Sequence, residues 1–203
     1  MFELAIYGGT FAPVHNGHVH AAKAFLDTVK PDKLLIIPTL IPPHKQITFE
    51  DTPSDRLKML HLAFKDEMLY GKKIFISDYE LTAPAPSYTV NTLRHFSSPD
   101  THITFLVGTD MFLTLDKWKS PDEIFSLCTV ALMKRQSDDD NTLIEQKTEE
   151  YRNRFNADII FIDAAPIEIS SSDIRLADDE TKKKYLPKAV YQYIKERSLY
   201  EDN

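Results

Sequence analysis

Residues 3–29 read ELAIYGGTFAPVHNGHVHAAKAFLDTV, and three kinds of local pattern follow one another in that stretch. Glu3–Tyr7 is a short apolar run of strand character. Gly8-Gly9-Thr10-Phe11-Ala12-Pro13-Val14-His15-Asn16-Gly17-His18 is a turn: its two leading glycines let the backbone bend tightly and let an anion approach its amides. Val19, Ala22, Phe25, Leu26 and Val29 then fall on one helical stripe. Strand, turn and helix in direct succession are the opening of a βαβ unit.

The alternation continues along the chain. Further strands are expected at Lys33–Pro38, Lys73–Asp78, Ile103–Val107, Thr129–Lys134 and Asp158–Asp163. LLIIP, CTVALM and DIIFI are apolar without alternating, as strands covered on both faces are. Thr52-Pro53-Ser54-Asp55 opens a helix, with Thr52 as cap, whose stripe is Leu57, Leu60, His61 and Phe64. Ser87 is expected to cap a helix carrying Val90, Leu93 and Phe96, and Pro187 opens a last one carrying Val190, Tyr193, Ile194 and Arg197. Ser137–Asn141 reads as a solvated loop. The expected fold is α/β: one domain over residues 1–203, a doubly wound parallel sheet with helices on both faces and a small C-terminal helical part. In such sheets ligands sit beyond the carboxyl ends of the strands, so the segments after each strand are the places to search.

Composition bounds the function. Apolar residues make up 42%, with 12 Phe and 9 Tyr, which suits a folded globule. A net charge of −7 repels a polyanion, so no nucleic-acid partner is expected, although a local cluster of donors can still hold a triphosphate. Cys128 stands alone, which excludes an intrachain disulfide and suits a reducing compartment. The opening MFELAIYGGT lacks a basic region, and no apolar run approaches a membrane span. A cytoplasmic location without a membrane partner is expected; a homo-oligomer stays open.

The turn after the first strand carries the chemistry. His15 and His18, three apart at a helix start, project from one face beside free amides and the positive end of the helix. That arrangement suits a phosphate whose negative charge grows during reaction. The string lacks the third glycine of the dinucleotide fingerprint and the Gly-Lys-Ser/Thr of a Walker loop. His-x-x-His without a Cys or carboxylate set assigns no protein-held metal. Towards the other end, Ile169-Ser170-Ser171-Ser172-Asp173-Ile174-Arg175 offers hydroxyls, amides and a planar cation for phosphate oxygens, or else an ordinary helix cap with a surface arginine. Pro42-Pro43-His44-Lys45 reads as a basic lip or an exposed loop. Pro86-Ser87-Tyr88-Thr89 begins a helix whose amides can hold an anion. Trp118 reads as core or as a stacking platform, Asp110 as a cap, and Arg135 as a nucleotide contact or a solvated side chain.

The first string resembles the Gly-x-Phe-x-Pro-x-His-x-Gly-His motif of the nucleotidyltransferase superfamily that adenylates or cytidylates phosphate-bearing acceptors. Its leading Gly-Gly-Thr-Phe is similar to that of bacterial nicotinate mononucleotide adenylyltransferases, with Ala12 where that family usually carries Asp. Ile169–Arg175 resembles the second motif, Ile-Ser-Ser-Thr-x-Ile-Arg, with Ser172 for Thr. Pro-Pro-His-Lys, Ser-Tyr-Thr, Trp118 and the Leu186–Tyr200 pattern extend the likeness over Leu4–Tyr200. The resemblance implies a Rossmann-like sheet and transfer of the adenylyl group of ATP to nicotinate mononucleotide, with magnesium bridging the phosphates. It implies catalytic roles for His15, His18 and Arg175. ATP would also meet Gly8, Gly9, Thr10, Phe11, Gly108, Asp110 and Ile169, with Ser171, Ser172 and Arg175 on its β- and γ-phosphates. The acceptor would meet Thr10, His44, Lys45, Lys119 and Ser87-Tyr88-Thr89, which receives the ring carboxylate, while Trp118 stacks. The competing readings are another acceptor, such as nicotinamide mononucleotide, and a non-catalytic nucleotide sensor.

Overall fold

A computed structural model describes residues 1–40, 51–65, 73–83, 86–134, 138–165 and 167–200, the side chains of 138–140 excepted. Among them, six strands pair in one wholly parallel sheet: β1 (Phe2–Gly9), β2 (Lys33–Pro38), β3 (Ile74–Ile76), β4 (Thr101–Gly108), β5 (Thr129–Met133) and β6 (Ile159–Ile162). Their order is β3-β2-β1-β4-β5-β6. The chain winds outwards from β1 to β3, then crosses back to lay β4 on the free side of β1. Winding therefore reverses between β1 and β4, and a crevice opens there at the carboxyl ends.

Among the described residues the α-helices are α1 (Asn16–Val29), α2 (Pro53–Ala63), α3 (Tyr79–Thr82), α4 (Thr89–Phe96), α5 (Thr109–Phe112), α6 (Pro121–Leu127), α7 (Asp138–Phe155), α8 (Ser171–Leu176), α9 (Asp179–Tyr185) and α10 (Lys188–Glu196). Successive strand residues point to opposite faces, so each strand feeds two cores. Ala5, Leu34, Ile36, Leu106 and Ala131 meet α1, α2 and α10 through Phe25, Leu60 and Val190. Leu4, Ile6, Leu35, Ile37, Phe105 and Leu132 meet α4, α6 and α7 through Leu93, Phe125 and Tyr151. The C-terminal part joins the first of these cores through Leu186, Val190, Ile194, Leu199 and Tyr200. No helix among the described residues is long and apolar enough to cross a membrane.

Three expectations need correction. Residues 138–141, expected in a loop, begin the long helix α7. Its buried positions Ile144, Thr148 and Tyr151 make a stripe too narrow to stand out from the polar remainder. Ser87 does not cap α4: Tyr88 holds the cap position, and the Ser87 hydroxyl accepts the Leu40 N–H at 3.3 Å. On α2 the buried face is Asp55, Arg56, Met59 and Leu60, while Leu57 is half-buried and His61 exposed. Its start is as expected: Thr52 Oγ1 accepts the Asp55 N–H at 3.1 Å and Asp55 returns the bond to the Thr52 N–H at 2.9 Å. Cys128 is buried beneath β5, its thiol 3.2 Å from the Ile124 carbonyl and pushed up to about 12 by desolvation.

Ile36 is fully enclosed on β2. Ile36→Ala should lower the unfolding free energy by about 2–5 kcal/mol, read from urea denaturation with an unchanged m value.

Candidate functional site at the β1–β4 crevice

The loop after β1 is folded around the ring of Phe11. Phe11 lies in the left-handed region at φ 53°, is 1% exposed, and precedes a cis Ala12–Pro13 peptide. A Cβ on Gly9 would stand 2.9 Å from that ring, so only glycine allows the close approach. A bulky residue at positive φ costs about 1–3 kcal/mol, which ring burial here offsets. The loop delivers His15 to the N-cap of α1 and His18 to its first turn. The two imidazoles lie 3.8 Å apart, tilted by 34°, and the Phe11 ring meets His18 edge-on at 5.0 Å.

Hydrogen bonding orients His18. Its Nδ1 accepts the His15 main-chain N–H at 3.2 Å, so in the neutral ring the proton sits on Nε2, which becomes a donor. His15 is 4% exposed, and its Nδ1 lacks a partner among the described residues. Burial lowers His15 to about 4 against a weaker opposing pull from Asp173. Burial, and next the neighbouring His15, hold His18 well below the usual imidazole range. Both rings are neutral near pH 7. Gly17 completes the fit, since a Cβ there would meet His15 Nδ1 at 2.9 Å.

The Ser-rich segment closes on this loop from the far end of the chain. Ser170 caps α8, and its hydroxyl accepts the Asp173 N–H at 3.1 Å. The Ser171 hydroxyl donates to the Pro13 carbonyl at 2.9 Å. Arg175 Nη1 donates to the Ala12 carbonyl at 2.6 Å, and Nη2 to Ser172 Oγ at 3.1 Å. Ile169, half-buried, packs on the first core. The two segments proposed to hold one triphosphate are thus in direct contact. Gly108 ends β4 on the other side of the crevice, exposed and with open space where a Cβ would be. Asp110 is exposed in the first turn of α5, where Gly108 and not Asp110 is the cap residue.

Among the residues expected to meet an acceptor, one contact joins two segments. Lys119 Nζ stands 4.2 Å above the Tyr88 ring, joining the Trp118-Lys119 turn to Ser87-Tyr88-Thr89. Trp118 packs partly buried on the second core. From α7, the Tyr151 hydroxyl donates to the Phe112 carbonyl at 2.8 Å and to Asp116 at 3.0 Å, while Lys147 pairs with Asp116 at 3.1 Å. His44, Lys45 and Arg135 lie outside the described residues.

The sequence profile of the cytidylyltransferase-like family matches residues 6–177. The chain belongs to that family. A Clostridium botulinum (strain Okra / Type B1) protein named "Probable nicotinate-nucleotide adenylyltransferase" is 35% identical over 206 residues, covering 99% of this chain and all of the relative. A Clostridium tetani protein of the same name is 34% identical over 204 residues, with 98% of this chain and 100% of the relative covered. A solved structure of Plasmodium falciparum nicotinic acid mononucleotide adenylyltransferase complexed with NaAD superposes with a TM-score of 0.76 over 100% of this chain and 99% of that one, at 20% identity. The same enzyme complexed with APC gives 0.77 at 18% identity, again over 100% and 99% of the two chains. These likenesses place the cytidylyltransferase-like sheet and its crevice in a known fold.

Three charged residues that sequence reading passed over are buried in this cytidylyltransferase-like chain: Asp51, Arg56 and Glu80. Glu80 on α3 accepts the Thr92 hydroxyl at 2.6 Å; burial raises its carboxyl, and the Thr92, Thr39 and Ser87 hydroxyls oppose that rise. Arg56 carried a signal, since an arginine beside Met59 and Leu60 on one helix face must enter a core with partners.

The depressed His15 sets a pH dependence of stability. An unfolded imidazole takes its proton near 6.5, whereas the folded one resists until about 4, so in that window protons favour the unfolded chain. Stability should therefore fall as pH drops from 6.5 to 4. His15 alone accounts for a loss of about 3 kcal/mol. Urea titrations across that range should show this component vanish in His15→Asn.

Proposed function

We propose that the chain transfers the adenylyl group of ATP to nicotinate mononucleotide, giving nicotinate adenine dinucleotide and pyrophosphate on the way to NAD, in the cytoplasm and with residues 1–203 acting as one unit. The observation that carries this reading is the Arg175 bond to the Ala12 carbonyl, which joins the two phosphate-type motifs at the sheet's switch point. The names of the full-length relatives support the acceptor.

The acceptor phosphate is already ionised at neutral pH, so no nucleophilic side chain is needed; the chain's task is positioning and charge stabilisation. Holding both reactants in line removes up to about 7–11 kcal/mol of barrier. Gly8, Gly9, Thr10 and Phe11 present main-chain groups along the phosphates, and the open face of Gly108 leaves room for the adenosine, with Asp110 towards its ribose. His18 donates from Nε2 to the α-phosphate, and His15 beside it keeps the pair neutral until a polyanion arrives. Arg175 and Ser172 take the departing pyrophosphate. Ser171 holds the Pro13 carbonyl and so shapes the cradle. Ala12 contributes to the junction through its carbonyl, which any residue supplies, so the missing carboxylate leaves the closure intact.

Ser87-Tyr88-Thr89, at the start of α4, and the cation of Lys119 face the ring carboxylate of the acceptor, with Trp118 on its ring and His44 and Lys45 as a lip over its phosphate. Among the described residues no three His, Cys, Asp or Glu side chains stand together to hold a metal. Magnesium brought with ATP would supply neutralisation of phosphate charge, beside the donors of Arg175 and Ser172.

Loss of one well-aimed donor at comparable sites costs about 3–4 kcal/mol. His18→Ala should lower turnover at least a hundredfold in a pyrophosphate-release assay while circular dichroism stays native; a near-wild-type rate would remove His18 from the chemistry. Given both mononucleotides, the chain should show a kcat/KM at least tenfold higher for nicotinate than for nicotinamide, because the amide leaves the Lys119 side without an anion. Equal values would overturn the assigned acceptor.

A further inference from the structure

Arg56 is 1% exposed inside the first core, and its guanidinium reaches main-chain carbonyls and a carboxylate there. Nη1 donates to the Thr39 carbonyl and, at 3.3 Å, to the Thr10 carbonyl; Nη2 donates to the Leu40 carbonyl at 3.3 Å. Nε faces Asp51 Oδ1 at 3.4 Å, and Asp51 Oδ2 accepts the Tyr200 hydroxyl. Tyr200 is itself fixed, buried in the first core and with its carbonyl accepting Lys182 Nζ at 2.7 Å.

A buried ion pair adds little net stability, because desolvation consumes most of the Coulomb gain. The specific consequence of this one is geometric. Thr10 and Thr39–Leu40 follow the carboxyl ends of the neighbouring strands β1 and β2, and one rigid fork holds both exits. The peptide between Thr10 and Phe11 is trans, so a carbonyl drawn to the buried guanidinium aims the Phe11 N–H the opposite way, away from Arg56.

We propose that Arg56 is a positioning residue for adenylyl transfer, holding the Gly8–Phe11 loop through the Thr10 carbonyl, and that Asp51 and Tyr200 hold Arg56. The C-terminal turn thereby sets the loop that receives the triphosphate. This rests on the function proposed above, and the test separates the two.

Two variants serve. Arg56→Lys keeps the charge and loses the fork; Tyr200→Phe keeps the ring in the core and removes only the hydroxyl. Hydrogen–deuterium exchange of the loop over residues 8–12, in the chain without substrates, should speed up in both. At a temperature where both are folded, Arg56→Lys should lower kcat at least tenfold with the KM of the acceptor changed less than twofold. Tyr200→Phe should lower kcat threefold to fivefold, and the double variant should match Arg56→Lys alone. Unchanged loop exchange overturns the proposal, as does a wild-type kcat in Arg56→Lys or two effects that multiply. Should Arg56→Lys fail to fold, Tyr200→Phe decides by the same exchange and kcat readings. If wild type transfers no adenylyl group to either mononucleotide while loop exchange still responds to both variants, the functional reading fails and the loop-holding role stands.

Discussion

Two hydrogen bonds, from Ser171 to the Pro13 carbonyl and from Arg175 to the Ala12 carbonyl, close loops of 158 and 163 residues. Neither bond could survive alone, since bringing such distant segments together carries an entropy cost that a single hydrogen bond does not offset. They hold because the sheet and the C-terminal helices already bring those segments within reach, through Ile174 below and Val190 and Ile194 beyond. The phosphate cradle is therefore a property of the completed fold. It needs both the first loop and the Ser171–Arg175 segment, so no fragment lacking either can build it.

Within that cradle the donors divide by charge. The neutral His15–His18 pair stands on the first loop, while the permanent cation, Arg175, stands on the closing segment. Keeping the imidazoles uncharged avoids placing two cations 3.8 Å apart. A neutral donor also lets go of a finished product more readily than a fixed charge does. Under the function proposed above, the strong charge serves the departing pyrophosphate and the weaker donors the place where the new bond forms.

Much of this was legible in the chain. Every strand was placed within two residues of its observed ends, because parallel strands buried on both faces carry long apolar runs. The first loop was legible because glycine, proline and histidine each act locally. What escaped reading depends on tertiary contact. α7 shows solvent so much of itself that Ile144, Thr148 and Tyr151 scarcely form a stripe, and its task, holding Asp116 under the Trp118 turn, is invisible without coordinates. Ser87 carries a good capping residue's chemistry but spends its hydroxyl on the neighbouring strand's exit. Arg56 and Asp51 are close in sequence and drew no reading there, and the docked Tyr200 shows how they are held inward.

The burial of Cys128 has a practical side. A thiol held at about 12 and covered by the second core presents almost no thiolate to a reagent, so alkylation must wait for the corner between α6 and β5 to open. The lone thiol is thus a built-in clock: its labelling rate in native buffer counts openings of the second core, on the sheet face opposite the one that carries the C-terminal helices.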